Sequence, residues 1–508
     1  MTHQLAKPKI TVWPRDGRRQ PIYLDDQCVA LEVQKSLQEP EGKWKITLLP
    51  AESLVGSGHH VSRLRSLPEL YKRIGPGSLV SVGFEERGGM MVGPTTRVDR
   101  HRIHARSSPS GQASHALTLS GSDFGKYLSQ DGIIHASLSA GETPAFLDKI
   151  EAVTGPDHVL LEILPGLWGP RAAGRGPTGV FEGARIQDVV QFVLNTAVST
   201  TLPQLADSLG GSGKPGEYIN VDGTVDVWND GRVWNPGLND YQGNLWQFIK
   251  NLVDEDFYEV LMQTIPIPKR DMPGVSLVIR PKPFDEGALR FAPQREFTGI
   301  TWDTLRTYVD RLEHHEIDRA DLFAEQLGVS DNDMFSYYEL TSAYSLIGND
   351  ASLQEGLYYP LIDTWALKRH GLRTYKSRIT LLAPDVEEKS AGTFAASELH
   401  SEVAEFRNRL FNWYRLNEFF EVGTIRVRGR DIYRPGDPVY LPSVRPRLGN
   451  EKGLRFYCSG VTHTWSWGDP FVANLQLTRG HNQGVVDAAK ALIAADAPPS
   501  NPDHYATV

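Results

Sequence analysis

The feature that most constrains this chain is an internal echo between its two β-rich ends. Pro76-Gly77-Ser78-Leu79-Val80-Ser81-Val82 and Pro435-Gly436-Asp437-Pro438-Val439-Tyr440-Leu441 each read as a turn opening a strand. Further on, Ala116-Leu117-Thr118-Leu119-Ser120-Gly121 and Asn474-Leu475-Gln476-Leu477-Thr478-Arg479-Gly480 each read as a strand closed by a hydroxyl residue and a glycine. The spacing nearly agrees, since Pro76 to Leu117 is a step of 41 and Pro435 to Leu475 a step of 40. Between these landmarks Arg97-Val98-Asp99-Arg100-His101 and Gly460-Val461-Thr462-His463 occupy comparable places. Turn-plus-alternation text also recurs by chance in β proteins. The matched spacing is what favours one β module present twice, and a trimer of such chains would carry six similar modules.

Composition fits many short elements. Of 508 residues, 47 are Gly and 33 Pro, while 40% are hydrophobic, enough to build cores in about three domains. The expected class is α+β, mainly β. A first β module is expected over 1–130, a mixed α/β insert over 131–325, and a second β module over 326–485 with a flanking helix at 397–417. A flexible tail is expected over 486–508. The helix is drawn from Leu399, Val403, Phe406, Leu410 and Trp413, which form one apolar stripe. Helices are also expected around 186–194 and 245–253, and loops at 166–179 and 210–243.

Lys+Arg total 53 against 62 Asp+Glu, a net charge of −9 with no basic block, which argues against tight binding of duplex phosphates. The opening residues carry no apolar leader, and no stretch reaches the ~18 apolar residues of a membrane span. A soluble protein synthesised in a reducing cytoplasm, without membrane insertion, is expected. Cys28 and Cys458 allow at most one long-range disulfide.

No catalytic constellation stands out. Gly169 to Gly174 has the glycine spacing of a phosphate loop, but Arg175-Gly176 stands where Lys and a hydroxyl residue are required. G-x-S-x-G is absent. His59-His60 and His314-His315-Glu316 lack the spacing that puts two imidazoles on one helical face. Asp222, Asp226 and Asp230 miss the calcium-loop pattern and read as turn residues. Asp254-Glu255-Asp256 and Glu387-Glu388 supply acids, but no visible glycosidase geometry. No enzyme, cofactor or metal is expected. Val461, His463, Trp465 and Trp467 share one face of the last hairpin, which reads equally as a barrel seam or a subunit interface. Leu475 and Leu477, with their echoes Leu117 and Leu119, join them as candidates.

The segment from Phe456 through Trp467 to Gly480 resembles the final strands of baseplate hub proteins of contractile-tailed phages. Leu117-Thr118-Leu119-Ser120-Gly121-Ser122-Asp123-Phe124-Gly125-Lys126-Tyr127-Leu128 resembles the end of that family's first barrel. Asn244 to Val253 and Ile279 to Asp285 resemble its insert. The resemblance implies two tail-tube-like β-barrel domains flanking the insert, in a homotrimer forming a pseudo-hexameric ring in the virion's tail baseplate. It further implies partners: the tail tube or a distal tube protein above, a central spike below, and baseplate wedge proteins around. Tape-measure protein and DNA would pass through the lumen, whose walls are expected to be acidic or neutral. The hub of a tailocin or secretion machine, a tail-associated cell-wall hydrolase and a carbohydrate-binding receptor module are the alternatives.

Overall fold

In a computed structural model of the chain, the residues described are 7–14, 21–39, 41–50, 66–84, 89–103, 114–130, 132–133, 219–221, most of 243–282, 314–342, 361–379, 407–442 except 409, and 453–496. The fold is mainly β, as expected. The chain divides into two compact units. The first comprises Met1–Pro281, Arg426–Pro435 and Ser459–Leu475; the second comprises Lys282–Ile425, Gly436–Cys458 and Gln476–Val508.

In the first unit the strands are β1 (Pro8–Trp13), β2 (Ile22–Tyr23), β3 (Cys28–Ser36), β4 (Lys43–Leu48), β5 (Leu79–Phe84), β6 (Met91–Ile103) and β7 (Ser114–Ser122). Alternation decides what faces the core. In β4, Trp44, Ile46 and Leu48 are buried while Lys43 and Lys45 are exposed. β5 is buried along its whole length. Helix α1 (Leu67–Arg73) leads into β5; its N-cap Ser66 hydroxyl accepts from Glu69 N, and Leu67 and Leu70 face inward. Helix α2 (Gly125–Gln130) follows β7 directly. The core takes Ile10, Val12, Leu31, Val33, Trp44, Leu117 and Leu119 from the first segment and Trp465 and Phe471 from the last third of the chain. Burying each of these large side chains contributes about 1.5–3 kcal/mol.

Also in this unit are β8 (Gly132–Ile133), β9 (Ile219–Val221), β10 (Gly243–Asn244), β11 (Tyr258–Ile265) and β12 (Gly274–Pro281). β11 and β12 form an eight-pair antiparallel ladder, and β9 joins β12 in parallel. A strand therefore lies inside the expected loop 210–243. Its three residues are held by pairing with β12, which no local pattern announces. Trp246 and Ile249 of the expected helix at 245–253 are helical and buried. The helix expected at 186–194 and the loop at 166–179 lie outside the described residues, as do His59-His60, Asp222, Asp226, Asp230, Asp254 and Glu387-Glu388.

The second unit holds β13 (His315–Glu316), β14 (Leu322–Val329), β15 (Tyr337–Ser342), β16 (Leu361–Ile362) and β17 (Thr374–Ile379), with helix α3 (Thr364–His370). The buried carboxylate of Asp363 caps α3 by accepting from the backbone N–H groups of Trp365 and Ala366. The chain passes between the units inside β18 (Glu421–Arg428), β20 (Leu454–Ser466) and β21 (Val472–His481), whereas β19 (Pro438–Leu441) lies wholly in the second. Of the stripe expected on the helix at 397–417, Leu410 and Trp413 are described, helical and buried.

Two expected boundaries fall inside elements. Residue 325 lies within β14, and 486 lies within helix α4 (Gln483–Asp496). In α4, Val485, Ala489 and Ile493 recur at helical spacing and are buried, so an Ala-rich run expected to fray packs one stripe instead.

Candidate functional site

The echo has a structural basis in strand order. In one set the hydrogen-bonded neighbours run β3-β4-β7-β6-β5; in the other they run β14-β18-β21-β20-β19. The correspondence holds term by term: the first strand, the second, then the two arms of a long hairpin in reverse order, then the short strand preceding that hairpin. A helix follows the last arm of each set, α2 after β7 and α4 after β21.

The turns match at the level of single bonds. Gly77 has φ 87° and Gly436 φ 89°, the left-handed region in which glycine carries no Cβ penalty. Gly77 N donates to Thr95 O at 2.8 Å and Thr95 N returns a bond to Ser78 O at 2.7 Å. In the second set Gly436 N donates to Cys458 O at 2.7 Å and Cys458 N to Asp437 O at 3.1 Å. Thr95 thus corresponds to Cys458, and Ser78 to Asp437. Asp437 has a further role, because its Oδ2 lies 3.0 Å from Nε2 of buried His315. That contact occupies one ring nitrogen of the His314-His315 pair.

The closing glycines of the two strand sets match in a second way. A Cβ on Gly121 would overlap the Trp44 ring and Pro94 O, and a Cβ on Gly480 would overlap the Phe456 ring. Each strand set therefore seats an aromatic ring on a bare glycine, although the ring comes from a different strand in each.

The candidate residues now separate. Leu117, Leu119, Leu475 and Leu477 are core residues, each no more than 1% exposed. Val461, His463 and Trp465 are also buried, whereas Trp467 lies past the end of β20 in the turn at Gly468 and is 54% exposed. Of the tryptophan pair, one packs inward and one faces outward. Cys28 and Cys458 are buried and are not joined in a disulfide.

His463 borders a cavity of the first unit with about 40 Å³ of room for water-sized molecules, lined in part by Lys35, Asp123, Met262 and Arg434. Lys35 Nζ donates to Met262 O at 3.3 Å and lies 4.0 Å from Asp123 Oδ2. Burial pushes the Asp123 carboxyl up to about 6 and the His463 imidazole down to about 4, with Arg430 O, 2.9 Å from Nε2, opposing the second shift. As pH falls below 6.5, the unfolded chain protonates the histidine first, so its contribution to stability is lost between about 6.5 and 4. Asp123 acts oppositely. The folded chain keeps its proton up to about 6 while the unfolded chain releases it near 3.8, so stability falls as pH rises through that window. Replacing His463 with Gln removes the first effect. The stability of H463Q relative to the parent is expected to rise by ~3 kcal/mol between pH 7 and pH 4 in urea unfolding. A pH-independent difference would contradict the assignment.

A buried cation that the sequence reading passed over lies in the second unit. Arg479, at φ 57°, donates through Nη1 to Trp413 O and, at 2.7 Å, to Asn417 Oδ1. Its guanidinium carbon sits 3.5 Å from the Trp413 ring centroid. The sequence signal was a cation inside an otherwise alternating strand, next to the closing glycine.

Among the described residues, the two echoing strand sets each leave one strand edge unpaired. β5 pairs with β6 only as far as Pro94, opposite Leu79, while β6 continues to Ile103 with β7 on its other side. Among the described residues, β14 pairs with β18 alone.

No family model matches the chain, and no curated protein matches it. Solved structures similar to it are phage and prophage tail proteins and a secretion-system component. The tail protein from Neisseria meningitidis MC58 is 12% identical, with a TM-score of 0.43, over 95% of this chain and 99% of that one. The 43 kDa tail protein of prophage MuSo2 from Shewanella oneidensis is 9% identical, with a TM-score of 0.43, over 93% and 98%. The E. coli c3393 protein, a component of the type VI secretion system, is 7% identical, with a TM-score of 0.35, over 90% and 74%.

Proposed function

We propose that this chain is the structural hub of a contractile tail, a homotrimer whose two β modules per chain form a pseudo-hexameric ring. The observation that carries the reading is the repeated strand order, β3-β4-β7-β6-β5 and β14-β18-β21-β20-β19, with its matched glycine turns. A chain that carries one module twice gives six similar modules from three copies, so it is threefold by sequence and nearly sixfold by shape. That property is what an adaptor between a sixfold tube and a threefold spike requires. In this role one side of the ring seats the tail tube and the other the central spike, with wedge proteins around it. The bore passes tape-measure protein and DNA once the spike has left. The same ring would serve a tailocin or secretion machine, and its work is mechanical.

The test is the mass of the purified full chain across a concentration series. A species of three chains is expected at high concentration. A chain that stays monomeric up to its solubility limit, or assembles only as a dimer, would contradict the reading.

A further inference from the structure

We infer that the open edge of β6, Thr96 to Ile103, pairs antiparallel with β14 of a neighbouring copy of this chain, so that head-to-tail strand addition closes the ring. The inference rests on the hub reading and names the surfaces that make the ring.

The template for the pairing is found within one chain. In the first unit, β20 residues Gly460–Ser466 run antiparallel to β3 residues Ser36–Ala30 over seven pairs. By module order, β3 is the counterpart of β14 and β20 the counterpart of β6. The first strand of one module thus lies along the far half of the long hairpin arm of the other. The reciprocal pair, β14 along the far half of β6, is not made within the chain among the described residues. Its two members are the open edges identified above.

Length and chemistry fit the pairing. The β6 overhang and β14 each span eight residues, against seven pairs in the template. β14 reads Leu-Phe-Ala-Glu-Gln-Leu-Gly-Val, with Phe323 48% and Val329 59% exposed. It carries neither the lysine nor the proline that often protects an edge strand from adding another chain. The overhang carries Arg97, Arg100, His101 and Arg102, all exposed. Arg97 is paired with Asp99 at 2.8 Å and Arg100 lies over the Tyr71 ring, so three arginines against one aspartate leave the overhang net positive. β14 carries Glu325 as its one charge, with Asp321 just before it. A basic edge meets an acidic one. Each chain offers one edge of each kind, so the contact is heterologous and forms a ring if the rotation closes.

The experiment uses the full chain with cysteine pairs. His101→Cys is combined in turn with Ala324→Cys, Glu325→Cys and Gln326→Cys, and Gln34→Cys with Thr462→Cys, opposite one another in the template, is the within-chain control. Mild oxidation of at least one β6–β14 pair should give covalent dimers and trimers on denaturing gels, while single-cysteine variants stay monomeric. Arg100→Glu with Arg102→Glu should raise the concentration needed for the trimer at least tenfold, and adding Glu325→Arg should recover part of it. If the chain is trimeric by mass and the control pair closes, but no β6–β14 pair cross-links and the charge reversals leave the trimer unchanged, the inference is overturned and the hub reading stands. A chain that stays monomeric up to its solubility limit overturns both.

Discussion

Gly480→Ala is expected to destabilise the second strand set by roughly 2–3 kcal/mol, the upper part of the range for an overpacked core. The methyl would enter the space held by the Phe456 ring, which is 2% exposed and has nowhere to move without displacing other buried groups. Because the clash is with one ring, shrinking that ring should relieve it. Gly480→Ala with Phe456→Leu should recover at least half of the lost stability, even though Phe456→Leu alone is destabilising. Gly121→Ala in the first module should be at least as damaging, and trimming Trp44 should rescue it less, because its methyl would also meet the backbone oxygen of Pro94. Chemical unfolding of the single and double variants measures the coupling directly. Additive effects at Gly480 and Phe456 would show that the close approach of ring to glycine has no energetic weight.

The second large effect is expected at Arg479. Replacing it with Met keeps the length of the side chain but removes the donors to Trp413 O and Asn417 Oδ1 and the cation stacked on the Trp413 ring. Leaving the buried Trp413 O unpaired costs about 1–3 kcal/mol, the half-buried Asn417 Oδ1 can turn to water, and the lost cation–π contact adds about 1–2 kcal/mol, so R479M should lose roughly 2–4 kcal/mol. Arg479→Lys should recover only part, because an ammonium can still donate to both acceptors but cannot lay a planar cation on the Trp413 ring. The near-ultraviolet circular dichroism of the tryptophans and the unfolding midpoint report the change. A loss below 1 kcal/mol would show that the guanidinium is not what fastens the helix bearing Trp413 to β21.

These two sites also show where the sequence was legible. The Pro-Gly turns could be read because a left-handed glycine opening a strand is set by local geometry, and Gly77 and Gly436 adopt nearly the same φ. The closing glycines could be seen as a repeat, but not explained, because their reason is a ring delivered from another strand. Trp44 and Phe456 stand at unrelated sequence distances from them. Alternation identified the buried face of β20, yet it could not separate Trp465 from Trp467, which share a period and differ only because β20 ends between them. Periodicity was overlooked in α4, where Val485, Ala489 and Ile493 mark a stripe that Ala-rich composition obscured.

What was least legible was the pairing between distant segments. Nothing local in Gly460–Ser466 names Ala30–Ser36 as its partner, since strands choose neighbours by topology as much as by pattern. Arg479 was hidden for a related reason: a cation in a strand reads as solvent-facing until its helix partners are known. His315 and Asp437 are likewise joined only by the fold, through the parallel pairing of β13 with β19.

The central claim is that one module occurs twice per chain and that three chains arrange six modules around an axis. Rotational power in averaged end-on electron micrographs of the assembled chain tests it most directly. The account predicts a ring with strong power at order six together with a weaker component at order three. A particle with threefold power and none at order six, or with no rotational symmetry, would contradict it.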